Sequence, residues 1–495
     1  MYRLQGRNKE LICFYLLAGL FILGFLYYVR GNSGHFYIYG AIPIFLLIIS
    51  IFFFSFDKFL LLIVFCTPFA LTLKEMGVEM DLDLSLPTEP LMALTLLILP
   101  VYQLYQGIIS KNWLRHPVTI IIFLQLIWMS VSCIGSEMPL VSVKYLIARL
   151  WFISSSYFLM GYLFQKDTRN VKCFLWLYIL PLSAVCIFIL IQHAGFNFDE
   201  HVADWITSPF YNDHTAYGAA LAMYIPVLIS WIFIKKSSQF QRIATILCLA
   251  ILSIALFFSF ARAAWIGIVA SIFLIVFFLF RIRFRTLLIF SVSALVIAFA
   301  FQSNLVMLLS RNSTASGGDA VQEVESMTNI KTDDSNLERL NRWSCAIKMF
   351  EEHPFMGWGP GTYMFQYAPF QKANEKSKIS TNAGTNGNAH SELLGPLSEQ
   401  GLPGMLLMLS LMGAVFYYGF RVVYGAESHS DKLLAMGIIC GFCTYFIHGF
   451  LNNFLDTDKL SLPFWGFIAA LVQMDISQRN KSKAPSNNIT SDRLS

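Results

Sequence analysis

Several arginines and histidines stand where such side chains are either costly or chemically useful. Arg262 lies in Ser259-Phe260-Ala261-Arg262-Ala263-Ala264-Trp265, a turn between two long apolar runs. A guanidinium at such a rim can hold two phosphate oxygens at once in a partly dehydrated site. The competing role is an arginine reaching out to lipid headgroups. Arg149 falls about two turns inside another apolar run, where ionisable groups are expensive. It could line the same cavity as Arg262 or neutralise a buried acid. Asn212-Asp213-His214-Thr215 opens a further run, with Asp213 suited to cap a helix and His214 available as a rim ligand or base. Arg339 and Arg342 are three apart and share a helix face. His390, in Asn388-Ala389-His390-Ser391-Glu392, has the side chain whose titration suits a general base near neutral pH, with Glu392 as a supporting group. For all of the loop residues the competing role is ordinary solvated surface. Two other patterns carry no chemistry. Gly357-x-Gly359-x-Gly361 is broken by Pro360 and follows no strand, so it is not a dinucleotide loop. Cys440-x-x-Cys443 is embedded in an apolar helix, where packing explains it better than zinc. No acidic cluster suggests a metal-dependent reaction, and neither a metal nor a cofactor is expected.

These residues must be positioned by membrane helices. Of 495 residues 56% are hydrophobic and 13% charged, and the mean hydropathy is +0.59. That is more apolar surface than a soluble domain of this length buries. Runs such as Leu11 to Val29 exclude a β-barrel, because only a helix satisfies its backbone over a continuous apolar stretch in hydrocarbon. The formal charge of +5 does not call for nucleic acid, since the basic residues gather in short connections that orient membrane spans. Eight of the nine cysteines fall in apolar segments and imply no disulfide framework. The predicted spans are 11–29, 36–56, 59–73, 90–107, 117–135, 142–165, 171–194, 213–234, 242–260, 262–280, 284–309, 401–424, 431–454 and 460–476. Those at 59–73 and 460–476 are short, so the expectation is an all-α polytopic membrane protein of about 12–14 transmembrane helices. Residues 1–10 and the run after them read as the first membrane helix rather than a cleaved signal.

With the N-terminus in the cytoplasm, twenty-one Lys and Arg lie inside, against Arg30, Lys74 and Lys459 in the short outside connections. This asymmetry fixes the expected orientation. Residues 1–309 form the N-terminal helices, 310–400 one large, partly helical loop on the outside, 401–476 the C-terminal helices, and 477–495 a disordered cytoplasmic tail. In the loop, Asn312 to Asn336 and Lys372 to Asn388 read as polar connections. Leu337 to Glu352 reads as an amphipathic helix with Leu340, Trp343, Ile347 and Phe350 on its apolar face.

In their order along the chain these segments resemble the O-antigen ligase and polymerase superfamily of bacterial membrane glycosyltransferases. The resemblance rests on Ser259-Phe260-Ala261-Arg262-Ala263-Ala264, then Arg339-x-x-x-Trp343, then His353-Pro354-Phe355-Met356-Gly357-Trp358-Gly359-Pro360-Gly361. It continues in Asn388-Ala389-His390-Ser391-Glu392-Leu393-Leu394 and in Glu399-Gln400-Gly401-Leu402-Pro403-Gly404. It implies an inverting, metal-independent transfer of a glycan from undecaprenyl pyrophosphate to an acceptor hydroxyl at the periplasmic face of the bacterial inner membrane. Arg262 and Arg339 would hold the pyrophosphate, and His390 would take the acceptor proton. Arg149, His214, Arg342 and Glu392 would support them. The leading expectation is ligation of O-antigen to lipid A-core, with a different hydroxyl acceptor also open. A repeat-unit polymerase or a protein O-oligosaccharyltransferase is the alternative. Of a different class, a transporter for lipid-linked glycans would need neither a ninety-residue loop with a base nor a scarcity of intramembrane acids. Membrane lipids are expected partners; nucleic acid is not.

Overall fold

The computed structural model describes residues 50–76, 84–234, 238–290, 293, 334–371 and 387–483. The predicted spans 11–29 and most of 36–56 and 284–309 lie outside the described residues. So do most of the two polar loop connections and of the tail. Two compact units meet at Leu62 and Ile63. The first is described from residue 50, as a helix. It is interrupted at Ser55 and resumes at Phe56, although the Ser55 amide still donates to Ile51 and its carbonyl accepts from Phe59. The interruption thus falls just before Asp57 and Lys58, where a turn between the spans 36–56 and 59–73 is expected, and the helix runs on past those two residues.

The helix α1, Phe56–Cys66, stops at Thr67-Pro68, because proline has no amide to donate. The chain then forms a two-residue strand pair, Leu71–Thr72 with Ser85–Leu86, antiparallel. Residues 59–73 are thus not a membrane span. The helices that follow are α2 (Thr88–Gln106), α3 (Pro117–Ile134), α4 (Pro139–Lys166), α5 (Arg169–Ala194), α6 (His214–Ile232), α7 (Gln239–Phe257), α8 (Arg262–Leu279), α9 (Asp334–Glu352), α10 (Leu394–Gly425), α11 (His429–His448) and α12 (Asp458–Lys483). Nine of them, α3 to α8 and α10 to α12, are long and apolar enough to cross a membrane among the described residues. The all-α polytopic class read from composition holds.

Helices α6, α11 and α12 occupy the middle: 89% of the apolar stretch of α12 is buried, against 28% for the peripheral α7. Lipid gives helices no hydrophobic drive to associate, so small residues that allow close packing matter. A Cβ on Gly441 would lie 2.2 Å from the Met223 carbonyl oxygen, and one on Gly267 would lie 2.9 Å from that of Thr444. These contacts lock α11 to α6 and to α8. At one end of the bundle, His116, Arg421 and Arg479 pair with the fully buried Asp475, and Lys172 reaches Ser430. All the basic residues here were assigned inside by the charge asymmetry. The loop segments 353–371 and 387–393 and the connections 207–213 and 449–457 gather at the other end.

The predicted amphipathic helix is α9, but its buried face is not the apolar one. Asn341, Arg342, Cys345, Ala346 and Met349 are buried, whereas Leu340 is 37% and Ile347 45% exposed. The polar members of the inner face find partners. Arg342 pairs with Glu338 at 2.6 Å and stacks 3.9 Å over the Tyr367 ring. Periodicity locates an apolar stripe without saying what it faces, and beside a membrane the stripe can point outward. The interior of the loop is built from Cys345, Ala346, Met349, Tyr363, Tyr367 and Ala389.

Candidate active site

The loop is fastened to the bundle through the glycine cluster. Trp358 and Gly359 donate their amides to the Ser398 and Glu399 carbonyls at 3.0 and 2.8 Å. Gly357 has φ +68, and a side chain there would lie 2.2 Å from the Glu399 backbone. Gly359 and Gly361 instead pack against the side chains of Ser136 and Tyr145, so the cluster holds the loop close to the bundle. Helix α10 kinks at Gly401 (φ 68, ψ −168). The Leu402 amide, freed by the kink, is taken by Pro354 of the loop at 2.9 Å.

His390 stands just before α10 in the left-handed region, φ 46. That conformation costs a non-glycine residue energy and survives only where its surroundings over-determine it. Asn388 accepts the His390 amide at 3.0 Å, Trp343 donates to the His390 carbonyl at 3.2 Å, and the next amide but one, Glu392, donates to Gly449 at 2.7 Å. On the ring, Nδ1 lies 3.4 Å from Oδ1 of the buried Asn452, whose Nδ2 is 3.1 Å from His448 Nε2. If Asn452 Oδ1 accepts from Nδ1–H, the lone pair of His390 rests on Nε2, which is the tautomer a base requires. Burial, then the charges of Arg339 and Arg342, push the imidazole down to about 4. It is neutral at physiological pH.

Sequence reasoning missed Asn452 and His448. The predicted span 431–454 ran straight through both, whereas α11 ends at His448 and the chain turns through 449–457. The only trace in the sequence was the polar Asn452-Asn453 pair at the end of an apolar run.

Arg262 is the first residue of α8, after a turn in which Phe260 takes φ +50. Its level follows from the helix crossing. Gly267 abuts Thr444, and from there α8 runs five residues out to Arg262 while α11 runs four out to His448. At ~1.5 Å per residue these are ~7.5 and ~6 Å, so the two side chains emerge at one height on adjacent, antiparallel helices. His214, just after the Asp213 cap of α6, pairs with Asp204. Arg339 and His214 both lie within electrostatic range of His448. Arg262, Arg339, His214, His390, His448 and Asn452 thus share one end of the bundle.

The remaining predicted residues are held by partners of their own. Arg342 is held inside the loop by Glu338 and Tyr367. Arg149 donates to the Leu455 carbonyl at 3.0 Å and to Tyr145 Oη at 2.7 Å. Glu392 is buried and accepts from Tyr445 Oη, Phe454 N and Leu455 N at 2.6, 2.9 and 3.1 Å. Burial raises its carboxyl, and Arg149 opposes the rise.

Residues 246–409 match the family model described as O-antigen ligase. Over that segment the chain is similar to the O-antigen ligase family. The match takes in Arg262, Arg339, Arg342, His390 and Glu392 and ends within α10, past the Gly401 kink. Arg149, His214, His448 and Asn452 lie outside it. In this multi-pass membrane protein the match supports a glycosyltransferase-like enzyme of ligase or polymerase type. A comparison with curated proteins gave no match.

Proposed function

We propose that this protein moves a glycan from undecaprenyl pyrophosphate to an acceptor hydroxyl, with inversion and without a metal, at the periplasmic face of the inner membrane. The reading carries through to ligation of O-antigen onto lipid A-core. The observation that supports it most is the grouping of Arg262 and Arg339 with a neutral His390 at the loop-bearing end of the bundle.

In this mechanism Arg262 and Arg339 bind the donor pyrophosphate, whose negative charge grows as the anomeric C–O bond breaks. Two preorganised guanidiniums stabilise that charge in place. His390 Nε2 takes the acceptor proton as the hydroxyl oxygen attacks the face opposite the leaving group. His390 then carries the proton, and undecaprenyl pyrophosphate departs as the anion. Burial and the charges of Arg339 and Arg342 lower the affinity of His390 for protons; a bound pyrophosphate offsets the charge of Arg339 and raises the imidazole toward the range useful to a base. Deleting the gene tests the reaction type. A ligase leaves lipid-linked polymer to accumulate. Accumulation of single lipid-linked repeat units would instead mark a polymerase, and unglycosylated protein a protein glycosyltransferase.

A further inference from the structure

The segment 388–392 separates two electrostatic neighbourhoods. The charges bearing on His390 are Arg339, Arg342 and Glu338. Those bearing on Glu399, a few residues on in α10, include Asp456 and Arg149. Asn388, Ala389, Ser391 and Glu392, the immediate neighbours of His390, line a cavity of about 120 Å³ that also meets Arg149, Glu399, Asp456 and Trp465. The space is well above what one water needs and admits a small polar ligand.

The chemistry of the lining selects the ligand class. Three carboxylates around one guanidinium repel a phosphate, and the guanidinium repels a metal ion. Carboxylate, serine and asparagine oxygens offer acceptors to a ligand rich in hydroxyl donors. Arg149 has five N–H donors, and its bonds to Leu455 and Tyr145 leave others to offer. The indole N–H of Trp465, 1% exposed, has no hydrogen-bond partner among the described residues, although buried indoles ordinarily find one. Tyr145, Tyr363 and Trp465 supply aromatic surface for the C–H face of a ring. The geometry points to this cavity as the acceptor subsite, binding a neutral sugar residue beside the 388–392 segment that carries His390, while the donor pyrophosphate lies on the cationic side. The acceptor role rests on the glycan transfer proposed above; the sugar binding does not.

The test is saturation-transfer NMR on the full chain in nanodiscs, with glucose, galactose and N-acetylglucosamine as separate probes. A Cβ on Gly395 meets only Ala389 Cβ, at 4.0 Å, so Gly395→Leu grows into the cavity and suits a helix. Glu399→Gln keeps an oxygen to accept the Tyr363 amide, now 3.0 Å away. At least one hexose binds the native chain; both variants weaken it by about tenfold or more, the effect of losing a hydrogen bond to a charged group or the space itself; Arg339→Ala leaves it unchanged. Absence of hexose binding, indifference to both variants, or loss in Arg339→Ala overturns the assignment. If hexoses behave as expected yet no glycan leaves a lipid pyrophosphate donor, the sugar site stands and the transfer reading falls.

Discussion

Replacing Asn452 by leucine is the perturbation that bears most closely on how His390 is held. Leucine keeps the branched shape and leaves the backbone bond from residue 452 to His448, 3.0 Å, but it removes the side-chain bridge between His390 Nδ1 and His448 Nε2. Asn452 is 3% exposed, so water does not readily replace it. A buried polar group left unpaired costs about 1–3 kcal/mol. If that cost falls on the population of correctly oriented Nε2 base, kcat drops roughly five- to 150-fold at ~1.36 kcal/mol per decade. Donor KM stays unchanged, because the arginines hold the pyrophosphate. The assay is transfer by the purified enzyme in nanodiscs, single variants compared with the pair. His390→Ala alone removes about 10²–10⁴-fold, and adding Asn452→Leu removes nothing further, since residues acting through one group are not additive. Losses that multiply in the double variant would show that Asn452 acts on the fold or on the donor and not through His390.

Four shorter expectations follow. Arg262→Ala and Arg339→Ala each abolish most transfer, and lysine at either position restores little because a point charge lacks the bidentate fork; near-normal lysine variants at both positions would demote these arginines to orienting charges. His353→Ala is mild, since its ring packs edge-on against Trp358 at 4.6 Å with no link to the bridge at Asn452; a loss as deep as that of His390→Ala would contradict this. In kcat/KM, which reports the free enzyme, the acidic limb lies near pH 4, and Arg339→Ala moves it upward, because removing a neighbouring positive charge lets the imidazole take a proton sooner; a limb that stays put or moves down would contradict this. A cysteine at the exposed Glu351 reacts with an impermeant reagent from the periplasm and one at the exposed Arg169 does not; the reverse pattern inverts the orientation.

The helices were legible because hydrocarbon leaves the backbone few choices: predicted bounds for α3 to α8 lie within a few residues of the observed ones. Charge grouped their connections: Arg421 and Arg479, expected on one side, do cluster around Asp475. What failed was local. Asp57 and Lys58 looked like a turn, yet the helix runs past them, and Pro68 ends it where the apolar run continues. The apolar stripe of α9 faces outward, because periodicity alone does not say which side of a loop helix meets its own core. Arg262, Arg339 and His390 stood out as costly or titratable groups in a recognisable order. Asn452 and His448 carried no such mark: an asparagine and a histidine at the end of an apolar run acquire meaning only once α11 stops and the turn brings them under the 388–392 segment. Arg149 was visible as an intramembrane charge, but its company of carboxylates comes from α10 and from the turn before α12.

Reconstituted transfer tests the central claim most directly. Purified protein is mixed with an undecaprenyl-pyrophosphate-linked glycan and lipid A-core, in the presence of chelator, and both products are followed. The account predicts release of undecaprenyl pyrophosphate in step with glycan joined to the acceptor, its anomeric configuration inverted, and neither product with His390→Ala although the donor still binds. An intact donor with the native chain, retention of configuration, or transfer by His390→Ala at the native rate would contradict it.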